Sequence, residues 1–64
     1  MNREMLNLFK LYCAEEQNIE NPTDDDARAT HESYSRQAGS SEKAEEMVMF
    51  WASVNFAYSG LVYH

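Results

Sequence analysis

Apolar residues recur at helical spacing near the start of the chain. Met5, Leu8, Phe9, Tyr12 and Ile19 fall at intervals of three, four and seven, which puts them on one stripe of an α-helix. The pattern predicts a first helix over residues 2–19. Leu6 and Cys13 flank the stripe on one side and Leu11 on the other, while Asn7, Lys10, Ala14 and Asn18 make the opposite face. Glu15, Glu16 and Glu20 gather at the C-terminal end, where the helix dipole disfavours negative charge, so that end is expected to fray.

Asn21-Pro22-Thr23 is the clearest break in the pattern. Proline cannot continue a helix and biases Asn21 away from helical backbone, yet it suits the first turn of a new helix. Asn21 or Thr23 can cap that helix, with Asp24, Asp25 and Asp26 on its positive pole. A second helix over residues 23–38 is predicted. Its apolar side is thin, with Ala27, His31, Tyr34 and Ala38 sharing one face. Gly39-Ser40-Ser41 then supplies a stop and a new cap, which predicts a third helix over 41–58. The alternative is one long helix kinked near Gly39, since glycine inside a helix costs only about 1 kcal/mol. Ala27, Tyr34, Ser41, Val48 and Asn55 stay in phase at every seventh residue across the glycine. For the end of the chain a hairpin is the second reading, with Val54, Phe56 and Tyr58 alternating before Ser59-Gly60, but an isolated hairpin is marginal in water. The expected fold is all-α, a small bundle of two to three helices in one domain spanning 1–64, with an acidic turn at 20–26.

The third segment is apolar on more than one side. At helical spacing Ala44, Met47, Val48, Trp51, Val54 and Tyr58 form one continuous face, while Met49 and Phe56 lie on another, with Phe50 and Ala57 nearby. A helix apolar nearly all round must be buried nearly all round. The first face has a mate in Met5, Leu8, Phe9 and Tyr12 of the first helix. The second has none within the chain, and each large side chain left in water forgoes roughly 1.5–3 kcal/mol. The expectation is a homo-oligomer, a dimer before a trimer or tetramer. Its interface would draw on Met47, Met49, Phe50, Trp51, Val54, Phe56 and Tyr58.

Length sharpens that expectation. With 64 residues, a lone domain buries only about 60% of its unfolded surface and its core supplies roughly 3–5 kcal/mol. Cys13 is the single cysteine, so an internal disulfide is excluded and oligomerisation is the remaining route to stability. One thiol fits a reducing, cytoplasmic setting. Asn7 and Lys10 interrupt the early apolar residues, so no secretory leader is expected at the start.

Eleven acidic against five basic residues give a formal charge of −6. That balance opposes direct binding to nucleic acid and favours a partner with a basic surface. Glu15, Glu16, Glu20, Asp24, Asp25 and Asp26 are the candidate docking residues for such a protein.

No motif for catalysis, cofactor or metal emerges. Asp24, Asp25 and Asp26 point about 100° apart on a helix and cannot converge on one ion, and a calcium loop would need alternating ligands and a glycine. Cys13 lies in no cysteine-enzyme signature with His31 or His64, and beside an apolar stripe it reads as a buried inert thiol. His31, next to Glu32 and near Tyr34, reads as a helix-surface residue, with a pH switch as the sharper alternative. A helix-turn-helix DNA-binding regulator is the main alternative function. Its recognition helix would carry only Lys43, and Arg28, Arg36 and Lys43 are interleaved with Asp25, Glu32 and Glu42 rather than forming a basic stripe. Residues 47–63 are too short and too often polar to span a membrane, which takes about twenty predominantly apolar residues.

Short, acidic and motif-poor, the chain resembles in size and style the small accessory proteins encoded in the early regions of temperate, lambdoid bacteriophages. The resemblance carries no functional residue. It implies an intracellular modulator of the host or of phage development. Together these readings predict a non-enzymatic, oligomeric helical interaction protein, a regulator of phage or bacterial processes acting through protein–protein contacts.

Overall fold

A computed structural model of the chain describes residues 1–56, which form three α-helices: α1 (Arg3–Glu16), α2 (Asp24–Ala38) and α3 (Ser41–Phe56). The expected all-α bundle is what forms, and no strand occurs among the described residues. Val54 and Phe56 belong to α3, which removes the hairpin start proposed for them. The expected helix end at residue 58, and Tyr58 with it, lies outside the described residues.

Each helix begins on a residue suited to the task. Asn2 caps α1 by accepting from the Met5 amide at 2.8 Å. Thr23, not Asn21, caps α2: its hydroxyl accepts from the Asp26 amide at 3.1 Å while the Asp26 carboxylate accepts from the Thr23 amide at 2.9 Å. Two amides without intrahelical partners are satisfied reciprocally. Ser40 caps α3 in one direction only, its hydroxyl accepting from the Lys43 amide at 3.1 Å.

The helix ends refine the expected boundaries. The first helix stops at Glu16, short of residue 19, because Asn18 takes left-handed backbone at φ 55° and turns the chain. The amides of Gln17 and Ile19 both return to the Cys13 carbonyl, and asparagine tolerates that conformation better than most side chains. Asn21, at φ 53°, makes the second sharp turn before Pro22. Gly39 breaks the chain between α2 and α3: at φ 94° it closes α2 with its amide on the Ser35 carbonyl. One long kinked helix is therefore not formed.

The core lies where the three helices meet. Met5, Leu6, Leu8, Phe9 and Cys13 from α1 are buried against Ala27 and Thr30 of α2 and Ala44, Val48 and Ala52 of α3. Phe9, Val48 and Cys13 are the largest side chains fully withdrawn from water. Leu6 and Cys13, expected at the stripe's flank, are central to it. Thr30 is buried among them, with its hydroxyl 3.2 Å from the Cys13 sulfur and donating to the Gln17 side chain at 3.3 Å.

The face of α3 that packs inward keeps Ala44, Val48 and Trp51 of the expected one but not Met47 or Val54. Ala44, Val48 and Ala52, at i, i+4 and i+8, face the core, with Met49 and Trp51 half-buried against it. Met47 and Val54, expected to pack on α1, stay exposed, and Met49, expected to lack a mate, has one. The physical reason is size. Small residues on both α2 and α3 let the helix backbones approach closely around Phe9, and close packing maximises dispersion contacts. Presenting Met47 in that row in place of an alanine would hold the helices apart.

Candidate functional site

The outer side of α3 carries the most distinctive surface of the molecule. Relative exposures are 54% for Met47, 71% for Phe50, 65% for Val54 and 47% for Phe56. Met47, Phe50 and Val54, with Lys43 before them, follow a 4-3-4 spacing. At about 100° per residue these four fall within about 60° of helical arc, on the side away from the Ala44/Val48/Ala52 row. This is the spacing of a coiled-coil seam, which keeps one stripe facing a partner helix. Lys43 and Glu46 make no ion pair among the described residues.

Beside the stripe, two shallow grooves share Met47 as a wall. One, of about 560 Å3, is lined by Ala38, Lys43, Glu46, Met47 and Phe50. The other, of about 350 Å3, is lined by Tyr12, Tyr34, Gln37, Ala38 and Met47. The apolar surface of α3 therefore continues across the C-terminal end of α2.

Under this surface an aromatic cluster fixes the position of α3. The Tyr12 ring meets Trp51 edge-on at 5.0 Å and Tyr34 at 5.5 Å, and Trp51 meets Phe56 at 5.4 Å. Trp51 donates its indole N–H to Glu16 at 3.1 Å. Burial and the neighbouring Tyr34 hydroxyl push the Tyr12 phenol up to about 12. Of the residues expected at an oligomer interface, Met47, Phe50, Val54 and Phe56 are thus exposed, whereas Met49 and Trp51 serve the monomer's own packing.

The acidic segment is divided in the same way. Asp24 accepts from Arg3 at 3.1 Å in a two-pronged contact and lies 3.2 Å from the Lys10 ammonium. Those two cations hold its carboxyl down at about 2. Asp26 caps α2, Asp25 pairs with Arg28 at 3.4 Å and Glu16 holds Trp51. Glu15 and Glu20 are exposed and make no such contact among the described residues. Four of the six carboxylates, Glu16, Asp24, Asp25 and Asp26, thus make intramolecular contacts.

Cys13 is fully buried between α1 and α2. His31 is not a simple surface residue: it is half-buried, its Nε2 lies 2.8 Å from Glu45 and its ring stands edge-on to Phe9 at 5.2 Å. The pair ties α2 to α3. Cys13 and His31 each engage different neighbours, and no group of three or more histidine, cysteine or acidic residues is placed to hold a metal ion among the described residues. No helix among the described residues is long and apolar enough to cross a membrane. The role of Thr30 was not legible beforehand, because a threonine in a polar helix carries no signal until a thiol is placed opposite it.

The chain matches no known protein family, no curated protein and no solved structure.

Proposed function

We propose that this chain is a non-enzymatic helical interaction protein that self-associates through the outer face of α3. The observation that carries the reading is the contiguous Met47/Phe50/Val54 stripe, more than half exposed at each position. Monomeric proteins rarely leave contiguous apolar patches of more than a few hundred Å2 in water. For a chain this small the added burial is comparable with the roughly 3–5 kcal/mol of a lone core. Its acidic balance favours regulation through another protein over direct contact with nucleic acid. Modulation of phage or bacterial processes is the biological setting proposed with it.

Sedimentation at micromolar concentration tests the reading. The mass should exceed the 7.4 kDa of one chain, and Phe50→Glu should return it to that value with helicity retained, since Phe50 lies outside the core. A mobility-shift assay at low salt should show no binding to duplex DNA.

A further inference from the structure

We draw no further inference here: the strongest candidate, the exposed Met47/Phe50/Val54 face of α3 with the two shallow grooves beside it, belongs to the site already described, and nothing in the structure shows what covers it.

Discussion

The hydroxyls of Tyr12 and Tyr34 lie 2.9 Å apart, joining α1 to α2, and the Tyr12 ring meets Trp51 of α3 edge-on. One phenol thus touches all three helices. Edge-to-face aromatic pairs contribute about 0.5–1.5 kcal/mol beyond their buried area, so the cluster orders the end of the bundle that the small core residues do not reach.

Spectrophotometric titration should reveal this tyrosine. Burial, then the Tyr34 hydroxyl, raises Tyr12 from 10.0 to about 12. The folded state favours the neutral phenol, so the associated stability is full below pH 10 and is lost as pH rises towards 12. Tyr34→Phe should bring the anomalous ionisation part of the way back. Normal titration of every tyrosine in the folded protein would contradict the contact.

Asp24 governs the acid side. Arg3 and Lys10 hold its carboxyl at about 2, below the usual 3.8. A depressed carboxyl stabilises the fold above its unfolded pKa, and that contribution disappears as pH falls from about 4 through 2. Asp24→Asn should lower the melting temperature at pH 7 and flatten its pH dependence over that window. The carboxylate is surface-placed and salt-screened, so the change will be modest.

Gly39 should tolerate no ordinary side chain. Its φ of 94° is left-handed although nothing lies within 4 Å of where a Cβ would be, so the penalty is conformational rather than steric. Gly39→Ala is expected to cost roughly 1–2 kcal/mol in chemical denaturation, and Gly39→Asn less.

Phe9 is the central packing residue. Phe9→Ala should cost about 3–5 kcal/mol, enough to consume most of a core of this size, so circular dichroism should show an unfolded chain at 25 °C. Phe9→Leu, which keeps most of the volume, should remain helical. In the unaltered protein the Cys13 thiol should react with Ellman's reagent only as fast as the bundle opens, because it is fully buried.

The proposed self-association should strengthen with salt. Each chain carries −6, so like-charge repulsion opposes the apolar seam. Raising ionic strength from about 0.01 M to about 0.15 M shortens the Debye length from ~30 Å to ~8 Å. The dimer dissociation constant should fall over that range. A rise would point to an interface held by ion pairs instead.

The number and order of helices were legible in the residues because each boundary has a local cause. Pro22 and Thr23 start α2, and Gly39 ends it, through backbone conformation and capping that involve only near neighbours. The apolar stripe of α1 was legible for the same reason, since a helix whose other face is polar has one way to turn. The third helix was not. With large apolar residues on several sides, periodicity left its rotation open, and only tertiary packing turned the small row Ala44, Val48 and Ala52 towards Phe9. That rotation depends on how closely three backbones can approach, which no single segment encodes. The partners of the acidic residues depended on tertiary packing too, since Arg3 of α1 meets Asp24 of α2 and Trp51 of α3 meets Glu16 of α1 only once distant turns are brought together. The sequence by itself determined that α3 is apolar on more than one side. Tertiary structure decided that Met47, Phe50 and Val54 are the ones left exposed, because the row Ala44, Val48 and Ala52 is the one the other two helices pack against.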